Sequence, residues 1–74
     1  MAVLFDAKKL QLERKRRELT QAMLAERAET SEQRVRSLES NEKRNPSAVM
    51  VLHLNRALQI TTEDLIMVKQ EDLK

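Results

Sequence analysis

TQAMLAERAETSEQRVRSLESNEKRNPS, residues 20–47, reads as two short helices joined by a tight turn, then a basic loop that opens a third. In the first of these helices Leu24, Ala25 and Ala28 make an apolar stripe with small residues in it. In the second, Val35 and Leu38 sit three apart while Glu32, Gln33, Arg34, Arg36 and Ser37 point elsewhere. A short helix with two apolar anchors and a polar, hydrogen-bonding outer face suits insertion into a groove better than burial.

Working outward, the pattern predicts five helices and an all-α chain. The first spans about residues 7–17, capped by Asp6, with Phe5 placed to staple onto Leu10, and with Leu12 and Leu19 as its further apolar contributions. Thr20 caps a second helix over 21–28. Ser31, or Thr30 with Gln33 as its capping-box partner, caps a third over 32–40, and Asn41 suits a left-handed residue after it. The loop NEKRNP at 41–46 holds the only proline, and Ser47 caps a fourth helix over 48–58. That segment carries Val51, Leu52, Leu54 and Leu58 with Ala48, Val49 and Ala57, so it is the expected centre of the core. Thr61, with Asp64 at the capping-box position, opens a fifth helix over 62–69. There Leu65, Ile66, Met67 and Val68 cover more than one helical face. Residues 1–69 are read as one domain and 70–74 as a frayed tail.

Composition narrows the functions available. A chain of 74 residues buries only about 60% of its unfolded surface. With no cysteine and a single histidine, it has neither a disulfide nor the ligands for a zinc site. His53 is expected at a partly exposed surface, and Met23 and Met50 as core or near-core filler. One aromatic residue disfavours a stacking platform for single strands. No nucleophile–histidine–carboxylate set, phosphate loop or metal cluster is evident, so no enzyme, cofactor or metal is expected. No apolar run approaches the ~20 residues that span a bilayer, which favours a cytoplasmic protein. The net charge of +2 says little, but the basic residues cluster at 14–17, 34–36 and 43–44. The run Arg14, Lys15, Arg16, Arg17 reads as a solvated face.

With these residues in place, the chain resembles the Cro/C1-type, or XRE-like, helix-turn-helix family. The resemblance covers roughly residues 5–65 and rests on LTQ at 19–21, LAERA at 24–28, Ser31, Val35, LE at 38–39, RNPS at 44–47, RAL at 56–58 and the acidic capped turn TTEDL. The opening FDAKKLQL is similar to the first helix of a subset of these regulators. The resemblance implies a five-helix, lambda-repressor-like DNA-binding domain with double-stranded DNA as partner. It implies base-edge contacts from Ser31, Glu32, Gln33 and Ser37, flanked by Arg34 and Arg36. It implies phosphate contacts from Gln21, at the start of the second helix, and from Lys43, Arg44 and Asn45. Ala25 matches the small residue that lets the two helices approach, and Val35 and Leu38 match the anchors of the recognition helix.

The chain departs from the family pattern in the turn. Glu29 stands where glycine is usual, and a non-glycine residue at positive φ costs about 1 kcal/mol. Thr30 replaces an apolar turn residue, and Glu32 stands where glutamine, arginine or serine is commoner. The resulting expectation is a sequence-specific transcriptional repressor, a phage or mobile-element regulator or an antitoxin. It would bind a short palindrome as a homodimer through Leu65, Ile66 and Val68. In the antitoxin setting a toxin or other regulatory protein would take that apolar segment instead. The alternative class is a protein-interaction module on the same fold, which Glu29 and Glu32 would favour by repelling phosphate.

Overall fold

Local signals build most of the observed structure. The computed structural model describes residues 2–40 and 45–69, and the tail 70–74 lies outside them. Asp6 accepts from the Lys9 amide at 3.0 Å and starts α1, Ala7–Arg16. Thr20 accepts from the Met23 amide and starts α2, Gln21–Arg27. Ser31 accepts from the Arg34 amide and starts α3, Glu32–Ser40. Ser47 accepts from the Met50 amide and starts α4, Ala48–Leu58. Each cap satisfies a backbone N–H that the first turn leaves without a partner. The expected Asn41 cap lies outside the described residues.

The ends of α1, α2 and α4 share one device. Glu18, Glu29 and Gln59 take φ near 57° (56°, 57° and 57°), the left-handed region. The following amides then reach back five residues: Leu19 to the Arg14 carbonyl, Thr30 to Ala25, and Ile60 to Asn55. A chain without glycine meets this demand at the cost expected for a side chain with a Cβ.

The five-helix expectation fails at the C-terminus. Thr61 does open a capped turn, its N–H donating to Asp64 Oδ2 at 3.1 Å, but the turn is a 3₁₀ segment, Thr62–Leu65. The chain then extends as β2, Ile66–Lys69, antiparallel to β1, Ala2–Phe5. The register pairs Phe5 with Ile66, Leu4 with Met67 and Val3 with Val68. Two β-branched residues in a four-residue apolar run, offered a pairing strand of AVLF, favour the extended form over another helical turn.

The core is one cluster: Phe5, Ala7, Leu10, Leu19, Leu24, Ala25, Ala28, Val35, Leu38, Val51, Leu54, Leu58 and Leu65. Four apolar residues expected inside are outside: Leu12, Met23, Val49 and Leu52 are exposed, Val49 by 62%. The helical period explains the three on α1 and α4. In α1 the buried stripe runs Ala7, Leu10, Arg14, and in α4 it runs Val51, Leu54, Leu58. Leu12 and Val49 lie two residues from Leu10 and Val51, about 200° around the helix, and Leu52 lies one residue after Val51, about 100° around from it. Leu65, expected at a dimer contact, is wholly buried within its own chain. Ile66 is half-buried, and Val68 lies on β2.

The basic run 14–17 also needs correction. Arg14 is only 7% exposed. Its Nε and Nη2 donate to the two carboxylate oxygens of Glu39 at 2.6 and 3.0 Å, and its Nη1 donates to the Leu19 carbonyl at 2.7 Å. One guanidinium thus ties α1 to the end of α3 and to the loop before α2. Glu13 is buried beside it, bridged by Lys9, Arg16 and Arg17. The Arg17 hydrogen bond holds the Glu13 carboxyl below its usual range, against the upward push of burial.

Candidate nucleic-acid interface

The site begins with the turn between α2 and α3. Thr30 N–H reaches the Ala25 carbonyl at 2.8 Å, and Glu29 N–H reaches the Glu26 carbonyl at 3.2 Å. Ala25 is 3% exposed and its small side chain lets α3 pack closely against α2. Glu29 occupies the left-handed position of this turn. Its carboxylate lies 3.6 Å from His53 Nδ1, which links the turn to α4 and leaves His53 at a partly exposed surface.

Val35 and Leu38 are buried, and they fix which face of α3 turns outward. Ser31, Glu32, Gln33, Arg34 and Arg36 are exposed and Ser37 is half-exposed. Ser31, Gln33, Arg34 and Ser37 line a single shallow concavity open to solvent. Its lining offers two hydroxyls, an amide with both a donor and an acceptor, and a guanidinium, all suited to base edges or phosphate oxygens. Glu32 and Arg36 stand to one side as an exposed i,i+4 pair at 3.4 Å. Such a pair contributes little stability and opens readily when a competing anion approaches.

Gln21 opens α2 and donates from Nε2 to Glu39 Oε1 at 3.1 Å. Glu39 therefore receives Arg14 and Gln21 together, and holds the start of α2 in register with the end of α3. Sequence reasoning missed both Arg14 and Glu39. The available signal was Arg14's place on the Ala7–Leu10 stripe, where a solvated cation does not belong. Asn45, expected at a phosphate, accepts the Phe5 amide through Oδ1 at 2.9 Å and so secures β1. Lys43 and Arg44 lie outside the described residues. Among the described residues no group of three or more His, Cys, Asp or Glu side chains could hold a metal ion. No helix among them is long and apolar enough to cross a membrane.

Comparison with known proteins agrees with this geometry. A family profile described as Helix-turn-helix matches residues 10–65. Among solved structures, the chain is similar to the restriction-modification controller protein C.AhdI from Aeromonas hydrophila. The two are 29% identical with a TM-score of 0.72, over 78% of this chain and 86% of that one. It is also similar in fold to SinR, a master regulator for biofilm formation whose structure was solved in complex with DNA. Here the identity is 23% and the TM-score 0.72, over 77% of this chain and 90% of that one. No curated protein sequence matches the chain.

Proposed function

This chain belongs to the Cro/C1-type, or XRE-like, helix-turn-helix family of DNA-binding transcription regulators, and we propose that it is a sequence-specific repressor that reads a short palindrome as a homodimer. The observation that carries the reading is the concavity of Ser31, Gln33, Arg34 and Ser37, on a helix whose opposite side is anchored by Val35 and Leu38. In this reading α3 enters the major groove. Gln33 pairs with adenine and Arg34 with guanine, each bidentate contact contributing about 1–3 kcal/mol of discrimination. Arg36 leaves Glu32 to join them, and Glu32 is then free to accept from a cytosine N4. Gln21, held by Glu39, and the basic loop with Lys43 and Arg44 fix the register on phosphates and carry the salt dependence. Repression would follow from occlusion of the polymerase.

Selection from a randomised duplex pool, followed by titration at two salt concentrations, tests the reading. A defined, salt-sensitive site is expected. Gln33→Ala then relaxes preference at one base position, whereas Arg44→Ala weakens every sequence alike and lowers the salt slope by about 1. Absence of any enriched site or salt-sensitive binding would favour the protein-interaction alternative.

A further inference from the structure

The two arginines of α3 stand in different situations. A turn of about 100° per residue puts Gln33 opposite the Val35 and Leu38 anchors, with Ser37 about 40° to one side of it and Arg36 about 60° to the other. Arg34 lies on the Ser37 side and joins the concavity with Ser31, Gln33 and Ser37. Among the described residues it has no carboxylate partner. Arg36 has one: its Nη2 lies 3.4 Å from Oε2 of Glu32, the first residue of α3. Both side chains are open to water, Arg36 by 61% and Glu32 by 51%, so burial does not hold the pair closed. An exposed i,i+4 pair of this kind is little more stable than its separated halves. The other carboxylate of α3, Glu39, is buried and taken up by Arg14 and Gln21, and Glu29 in the turn before α3 is directed to His53. Glu32 is therefore the carboxylate on the surface that α3 presents.

We infer that Glu32 is a specificity-determining residue that acts mainly against wrong duplexes: it withholds Arg36 from them, and releases it only where a cytosine amino group takes the arginine's place. The inference rests on α3 being the DNA-reading helix, as proposed above. On an unmatched duplex the pair stays closed, Arg36 adds no net charge to the face, and about one phosphate contact's worth of counterion release is lost. Opening the pair there sets the carboxylate against guanine O6 and N7 or thymine O4, acceptor facing acceptor. Cytosine N4 is a donor with no acceptor beside it in the major groove, whereas adenine N6 sits next to N7. At a matched cytosine the carboxylate exchanges one hydrogen-bond donor for another, so the guanidinium is free for a phosphate or a guanine edge at little cost. Selectivity then comes from weakening the competitors as much as from strengthening the target. A carboxylate in the first turn also favours the helix through its dipole, but that role alone would leave duplex preference untouched when the charge is removed.

The experiment uses the full chain and three kinds of duplex: the site enriched from the randomised pool, that site with each base pair changed in turn, and an unrelated duplex of equal length. Glu32→Gln keeps the side chain's size and removes its charge. It should bind the unrelated duplex about 3–10-fold more tightly, with a salt slope steeper by about 1. Within the single-change set, preference at one G·C position should fall by about tenfold, in the range that one base contact supplies. In an Arg36→Gln background the same substitution should change affinity for the unrelated duplex by less than about twofold, because no arginine is left to release. Both side chains are exposed, so the variants should fold, and a thermal melt checks it. A parent that enriches no site and binds no duplex would overturn the DNA-reading function and this inference with it. A parent that binds, while Glu32→Gln alters neither the unrelated-duplex affinity nor any base preference, would overturn the inference alone. So would an equal gain with and without Arg36, the mark of a general charge effect.

Discussion

Replacing Arg14 with methionine removes the cation while keeping most of the side chain's volume. It leaves the Glu39 carboxylate, whose side chain is 3% exposed, without its two guanidinium hydrogen bonds, and the Leu19 carbonyl without its third. Among the described residues Gln21 alone remains on Glu39. Breaking a buried pair from one side typically costs about 3–5 kcal/mol, because a charge stays behind in a site built for two. A 74-residue domain has roughly 4–11 kcal/mol of stability in all. Urea unfolding followed by circular dichroism should therefore lower the midpoint by about 2–4 M, or find the variant largely unfolded in buffer. Adding Glu39→Leu removes the stranded charge, and the double variant should recover most of the loss, to within about 1–3 kcal/mol of the parent, the remainder being the buried Leu19 carbonyl that stays without its partner. Under the proposed function its DNA affinity should not recover, because Gln21 has lost the carboxylate that positions it. A single-variant loss below about 1 kcal/mol would mean that the pair behaves as a surface ion pair, and the account of Arg14 as the tie between α1 and α3 would fail.

Glu29→Gly relieves the left-handed strain in the α2–α3 turn, and should stabilise the domain by about 1 kcal/mol, raising Tm by about 4–8 °C; an unchanged or lower Tm in a thermal melt would count against it. Asn45→Ala removes the acceptor of the Phe5 amide, at an expected cost of about 1–2 kcal/mol, with faster exchange confined first to β1. Glu13 has a folded-state pKa below its ordinary value, set chiefly by the Arg17 hydrogen bond, so its contribution is full above the ordinary carboxylate range and disappears as pH falls through the lower folded value. Glu13→Gln should accordingly flatten the acid limb of a stability–pH profile while lowering stability at neutral pH, and an acid limb as steep as the parent's would contradict that assignment.

The helices and their caps were legible because each signal lies within four residues: Asp6 with Lys9, Thr20 with Met23, Ser31 with Arg34, Ser47 with Met50. The strands were not, because β1 and β2 pair the two ends of the chain. A run such as Leu65–Val68 is ambiguous between helix and strand until its partner is known. The outward face of α3 was legible from Val35 and Leu38 alone, since two anchors three residues apart fix a helix's rotation. The network that holds that helix was hidden for the opposite reason. Arg14 stands among basic residues that are solvated, and its partner Glu39 lies 25 positions away on another helix. Charge alone could not separate Arg14 from Arg16, whose side chain is 65% exposed, but position could, because Arg14 falls seven residues after Ala7 and four after Leu10. The same test expels Leu12 and Leu52 from the core despite their hydropathy. In a helical chain this small, phase along the helix therefore decides burial before residue type does. An arginine in phase with the core must find a carboxylate there, and here the carboxylate it finds also sets the start of α2 against α3.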